Sequence, residues 1–380
     1  MPRAINRIIS ALVPFLAAAA LSPSARPSRI LYHLEKVWEI RLRDLVKEQQ
    51  SQFSEQLHYV SAVQFSNDER QVAVAMGEHT SDGQTRSHLL IAEREHPTEE
   101  FRQFDYEGGP STRIMWSADG RFVGVAPRKY HGGITLLHVA DGKGCQVPGI
   151  HFDFAGFIGA EFAVVDARET GAGTSALVSS YLVLYDRDCH ESRRLLVPGK
   201  AQALDVSEAR GLIALGLEDG TVLALDVRDL KIKDRWSHPH SELRFVDSGR
   251  AICDADRFSH SAPPMCRMIG TSTALPEPKL RGGWPFATAS RGTLALGGDA
   301  KYSYGGFTET QSWEVKRLVL YDYRTGQPLV SIPPSFQHLA SFEGGAKSHL
   351  PWAIAISPSG RYLAEGGADT LRLYEIRTVN

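Results

Sequence analysis

From residue 58 onward the chain repeats one arrangement of apolar and polar positions. An alternating run is followed by a tight turn rich in Asp, Gly and Ser, then a second run with small residues, a variable segment, and a third run ending in an acid. The clearest copies read SAVQFSNDERQVAVAMG with HLLIAERE, TRIMWSADGRFVGVAP with ITLLHVADGK, QALDVSEARGLIALGLEDGTVLALDVRD, and AIAISPSGRYLAEGGADTLRLYEIRT. Fainter copies fill the gaps: FDFAGFIGAEFAVVDAR with YLVLYDRD, LRFVDSGRAICDAD with CRMIG, and FATASRGTLALGG with RLVLYDYRTG. Alternation with period two sends successive side chains to opposite faces, which is strand behaviour. It excludes helical repeats.

First strands begin near Val63, Ile114, Phe152, Ala203, Leu243, Phe286 and Ala353. The base period is about 40 residues, the rest being insertion. Short fourth runs such as FRQFDYEG, RRLLVPG, IKDRWS and PLVSIPP lie between copies. Four-stranded antiparallel units at this period predict an all-β fold, a β-propeller whose blades pack face to face around a channel. Seven first strands predict seven blades, with six or eight left open.

The segments FSNDERQVAVA, WSADGRFVGVA and ISPSGRYLAEGGADTLRLYEI resemble WD40 and YVTN-type propeller repeats of the bacterial, exported kind, over most of residues 58–380. The usual Trp-Asp ending is replaced at Tyr185-Asp186, Leu225-Asp226, Tyr321-Asp322 and Tyr374-Glu375, and Gly-His before the first strand is missing. The resemblance implies a rigid, noncatalytic disc that binds a protein or peptide partner. The competing reading is a propeller enzyme of the quinoprotein or lactonase type, working in the central channel.

The first residues read as an address. Met1 to Arg7 carry two arginines and no acid, Ile8 to Leu21 is apolar, and small residues follow. This three-part pattern predicts a secretory signal peptide over residues 1–25, too short for a permanent span and interrupted by Pro14. No other stretch has transmembrane length, so the mature chain is expected to be periplasmic or secreted, with no stable membrane span. Residues 26–57 are assigned to ring closure, because the last repeat lacks a fourth strand. KVWEIRL (residues 36–42) alternates Trp38, Ile40 and Leu42 against charged neighbours and would supply it. An amphipathic helix through Leu34, Trp38, Leu42 and Leu45 fits as well, in which case residues 53–58 would close the ring instead.

Composition narrows the partners. The 380 residues carry 42 Lys+Arg against 44 Asp+Glu, a net charge of −2, with no basic block. That argues against nucleic acid, which calls for a concentrated basic surface. A monomer is expected. In an oxidising compartment the four cysteines read as candidates for disulfides. Cys253 and Cys266 lie in two apolar runs joined by a short polar segment, as strands of a hairpin would, and are expected to pair; the pairing of Cys145 with Cys189 is left open.

Turns joining first to second and third to fourth strands are short, for example Asn67-Asp68, Asp119-Gly120 and Ser359-Gly360. Long segments nearly all fall on the opposite face of the disc. They carry Arg86, Arg128, Tyr130, His131, Arg168, His260, Tyr302, Tyr304, Trp313, His349 and Trp352, the candidate binding residues. Arg, Tyr and Trp dominate binding hot spots, and loops on a rigid scaffold carry function.

Catalytic patterns are weak. His238, His240 and His260 lack a further ligand at fixed spacing, so no metal is expected. The letters Gly171-Ala-Gly173-Thr-Ser-Ala176 match a dinucleotide fingerprint but precede a strand, so no nucleotide cofactor is expected. Asp254, Asp256 and Glu365 are the acids nearest to a channel-mouth arrangement. No GxSxG, HExxH or P-loop occurs. Catalytic residues, metal and cofactor are all assigned as none.

Overall fold

In a computed structural model the described residues are 31–41, 57–79, 85–99, 101–106, 111–127, 133–147, 155–170, 177–238, 242–255, 263–271, 273–280, 286–305, 310–332, 339–341, 347–349, 353–367 and 370–379. They form seven antiparallel blades. Blade 1 runs Leu57–Phe65, Gln71–His79, Thr85–Glu93, Phe101–Tyr106. Blade 2 follows with Ser111–Trp116, Phe122–Pro127, Ile134–His138 and Gly144–Val147. Blade 3 comprises Ala155–Ile158, Glu161–Thr170, Leu177–Tyr185 and Glu191–Leu196, and blade 4 Ala201–Ser207, Leu212–Leu217, Thr221–Asp226 and Ile232–Ser237. Blade 5 has three strands, Glu242–Val246, Ala251–Ala255 and Met265–Met268, with a single bridge from Arg267 to Ala274 at its outer edge. Blade 6 comprises Phe286–Thr288, Leu294–Gly305, Thr310–Asp322 and Gln327–Ile332. The seventh contributes Ala353–Ile356, Tyr362–Gly366 and Thr370–Val379.

The fourth strand of blade 7 is Leu31–Arg41, antiparallel to Thr370–Val379 from Leu31 opposite Val379 to Arg41 opposite Thr370. The segment that alternates Trp38 and Ile40 is therefore a strand and not an amphipathic helix. Innermost strands touch in ring order, and Ala353–Ile356 packs against Leu57–Phe65 to close the circle.

The core lies between blades rather than at one centre. One apolar cluster joins Ala73, Leu89 and Ile91 of blade 1 to Ile114, Val123 and Val125 of blade 2. The next joins Met115 and Leu136 of blade 2 to Phe157, Phe162 and Val164 of blade 3. Alternation in FVGVAP explains both: Val123 and Val125 face one neighbour, while Gly124 and Ala126 face the other. A Cβ at Gly124 would lie 2.9 Å from Met115 Cε and 3.0 Å from Phe162 Cε2. The missing side chain at Gly124 is thus what lets Met115 of its own blade and Phe162 on the second strand of blade 3 pack against this strand.

Two disulfides are present. Cys253–Cys266 ties adjacent strands of blade 5, and Cys145–Cys189 staples the outer strand of blade 2 to the third-to-fourth turn of blade 3. The hairpin prediction for Cys253 and Cys266 is met because those residues are direct cross-strand partners.

Candidate functional site: two faces and a channel

The short-turn face is bound to itself all the way round. Asn67 Nδ2 of blade 1 donates to the Ser117 carbonyl of blade 2 at 3.3 Å. Asp119 of blade 2 takes Arg187 of blade 3 at 2.9 Å, and Glu208 of blade 4 accepts the Gly159 N–H of blade 3 at 3.0 Å. Gly249 of blade 5, at φ 81°, sits so close to blade 4 that a Cβ there would lie 2.0 Å from Ser207 Oγ. The Ser248 N–H donates to the Ser290 carbonyl of blade 6 at 2.8 Å, and Arg324 reaches Asp247 at 2.5 Å. The Arg291 N–H donates to the Pro358 carbonyl of blade 7 at 2.8 Å. Ser359 Oγ then donates to Glu69 of blade 1 at 2.8 Å, which completes the circle. Glu69 stands at φ 64°, a left-handed position for a non-glycine residue, and its carboxylate also pairs with Arg291 at 3.2 Å. Short Asx-rich turns are what make this ring possible, since Asp68, Asp119 and Asp322 each accept a backbone N–H two residues on.

Electrostatics follow the same geometry. Burial pushes the Asp119 carboxyl up, but Ser117, the Arg121 N–H and Arg187 outweigh it and hold the group below the usual carboxylate range. Glu161 likewise overcomes burial through Arg193 and Ser192. Glu208 goes the other way: burial pushes it up, and the single N–H from Gly159 does not compensate.

The channel wall carries a charged cluster that sequence reasoning missed. Arg113, on the innermost strand of blade 2, donates Nη1 to the Leu204 carbonyl at 2.7 Å and Nη2 to Asp205 Oδ1 at 2.5 Å on blade 4. The other Asp205 oxygen accepts the Phe245 N–H of blade 5 at 2.6 Å. Next to it Arg244 pairs with Glu242 and donates to the Leu243 carbonyl. Burial, and then Arg244, pull the Arg113 guanidinium below the ordinary arginine range, against the pull of Asp205 and Glu242. It stays protonated. The signal was present in TRIMW and QALDVS, where a charge interrupts an inward-facing alternation.

The long segments leave the opposite face, and several are strand extensions rather than loops. Arg86 stands opposite Glu78 on the third strand of blade 1, and Arg168 opposite Ser179 on the second strand of blade 3. Tyr302 stands directly opposite Trp313, and Tyr304 opposite Gln311, on the long pair of strands in blade 6. His349 pairs with Leu339 in a small separate hairpin, Leu339–Ser341 with Lys347–His349. Arg128, Tyr130, His131, His260 and Trp352 lie outside the described residues, as do residues 1–30 with the signal-peptide segment.

The candidate catalytic groups are dispersed. His238 binds Asp254 at 2.8 Å between blades 4 and 5, a His–Asp pair despite the missing Gly-His; His240, His260 and Asp256 lie outside the described residues. Glu365 is buried in blade 7, where it accepts from the Tyr374 hydroxyl at 3.5 Å. Asp254 also faces Tyr321, whose phenol is driven upward first by burial and then by that acid. Residues 171–176 lie outside the described residues, but the strands on either side pair directly, Thr170 with Leu177, as a hairpin does and a nucleotide-binding unit does not. Among the described residues, the one trio spaced for a metal is Asp186, Asp188 and His190, on the outer turn of blade 3 and away from the channel.

The described residues define a seven-bladed β-propeller. No family model matches the chain, and no curated protein does. Among solved structures it is similar to the β-propeller domain of Cps50 (Swd1) from Myceliophteria thermophila, at 14% identity and a TM-score of 0.55, over 85% of this chain and 100% of that one. That likeness is one of fold. Among the described residues no helix is long and apolar enough to cross a membrane.

Proposed function

We propose that this protein is an exported, noncatalytic propeller that, as a monomer, holds a protein or peptide partner on its long-segment face. The observation that carries the reading is the asymmetry of the disc. Polar groups on the short-turn face bind neighbouring blades from blade 1 round to blade 7 and back to Glu69, with the Gly270 N–H of blade 5 donating to Asp234 of blade 4, whereas strands of blades 1, 3 and 6 are prolonged towards the other face. On the channel wall Asp205 accepts from both Arg113 and the Phe245 N–H, which makes this charged cluster a tie between blades. Two disulfides and the leader-like residues 1–25 support export.

Photo-crosslinking residues placed at positions 86, 168 and 313 are expected to trap one partner in the source cell, while residues placed at 143 and 271 on the short-turn face trap none. The reverse pattern overturns the reading, as does a stoichiometric metal or visible chromophore in the purified protein.

A further inference from the structure

The innermost strands enter the channel from the long-segment face, because each turns into its second strand on the short-turn face. Arg113 stands two residues in from Ser111 on blade 2, and Arg244 two residues in from Glu242 on blade 5. At about 3.3 Å per residue, both side chains leave the backbone roughly 7 Å below the mouth. Asp205, four residues in from Ala201 on blade 4, starts deeper. Exposure follows depth: the side chains of Arg244 and Glu242 are 26% and 18% exposed, more than those of Arg113 and Asp205 beneath them.

A guanidinium carries five N–H donors and no acceptor. Arg113 uses Nη1 on the Leu204 carbonyl and Nη2 on Asp205 Oδ1. Arg244 uses Nη1 on the Leu243 carbonyl and Nη2 on Glu242. Among the described residues, each arginine keeps its Nε–H and one hydrogen on each Nη for a further acceptor. The acids have less to spare, since Asp205 spends its second oxygen on the Phe245 N–H. Two guanidiniums and two carboxylates make the cluster neutral in formal charge, yet it is rich in donors, and donors held away from bulk water call for acceptors. The two guanidiniums also act on each other. After burial, Arg244 is the strongest influence pulling the Arg113 guanidinium below its ordinary range, against Asp205 and Glu242.

We infer that Arg113 and Arg244 anchor a carboxylate side chain of the protein or peptide partner, inserted into the channel mouth from the long-segment face. The inference rests on the reading of that face as the binding face and adds the chemistry of the partner, an acidic residue at the centre of its contact surface. The planar edge formed by Nε and Nη of a guanidinium matches the two oxygens of a carboxylate, and such charge-assisted pairs are about twice as strong as neutral ones. An anion lodged between the guanidiniums also offsets their mutual repulsion, which a neutral carbonyl does not. The walls of the channel exclude much of the solvent that would screen the attraction.

The test uses the whole purified protein with isotope-labelled arginine nitrogens and follows the side-chain Nε–H signals by NMR. The probe is N-acetylglutamate N-methylamide, with the neutral glutamine analogue as its isostere at matched ionic strength. The acid is expected to shift the Arg113 and Arg244 signals together and saturably, binding at least tenfold more tightly than the isostere. Glu242→Gln, which removes the competing carboxylate, is expected to tighten binding at least threefold. Combining Glu242→Gln with Arg244→Gln removes both charges of that pair, strands neither, and is expected to weaken binding at least tenfold with the melting midpoint unchanged. Equal saturation by acid and isostere, no shift at either arginine, or no gain from Glu242→Gln overturns the inference. So does tighter saturation by inorganic phosphate, because the pair would then hold a free anion rather than a partner's side chain. Photo-crosslinking separates this inference from the reading beneath it. If trapping from positions 86 and 168 persists undiminished in the doubly substituted protein, the anchor falls alone; if trapping fails in the unsubstituted protein too, the binding-face reading falls with it.

Discussion

Arg113 and Asp205 meet at 2.5 Å although they belong to blades 2 and 4, with blade 3 between them in the ring. Both side chains are largely buried, at 13% and 14% exposure. The chord they form spans part of the channel and ties three blades together, since Asp205 also holds the Phe245 N–H of blade 5.

Removing one end of that chord leaves the other charge stranded in a poorly solvated place. Asp205→Ala is expected to lower the unfolding free energy by about 3–5 kcal/mol, whereas the double variant Arg113→Met with Asp205→Leu recovers most of the loss. Urea denaturation of the three proteins checks this, and equal loss in single and double variants would show that the pair is not a unit.

Gly249 stands where only glycine fits, by backbone angle and by space. Gly249→Ala is expected to cost about 2 kcal/mol or more, while Gly270→Ala, also at positive φ but with nothing within 4 Å of an added Cβ, costs about 1 kcal/mol. Melting midpoints of the two variants side by side separate the crowding term from the backbone term.

The disulfides differ in what they join. Losing Cys145–Cys189, which closes the longer loop across two blades, is expected to cost up to about 4 kcal/mol, against about 3 kcal/mol for Cys253–Cys266. Paired Cys→Ser variants measure this, and a non-reducing peptide map that links the cysteines any other way contradicts the assignment.

Acid stability follows from the depressed carboxyls. Asp119 and Glu161 ionise more readily folded than unfolded. Their contribution is fully present above the ordinary carboxylate values, near pH 4, and is lost as pH falls through the lower folded values. Stability is expected to drop below about pH 4, and Glu161→Gln to flatten that drop. A denaturation series from pH 7 to 2 would contradict this if the variant kept the full slope.

Some of the site was legible because it is local. The turns at Asn67-Asp68 and Asp119-Gly120 need only their own residues to form, and the Cys253–Cys266 pairing needed only two adjacent strands. The tether from Arg113 to Asp205 was not legible: 92 positions separate them, and only the curvature of the ring brings them together. The segment around Tyr302, read as a loop, is a ribbon because Lys301–Glu314 and Tyr302–Trp313 pair in register.

The sequence by itself determined strand, turn and repeat, hence a ring of blades, since period-two alternation and Asx-Gly turns act within a few residues of themselves. Tertiary structure alone decided which turn binds which neighbour, that Glu69 meets Ser359 across the closing seam, and which charges face each other in the channel. Those relations depend on distances across the ring, set by how seven blades pack, and no span of adjacent residues encodes them.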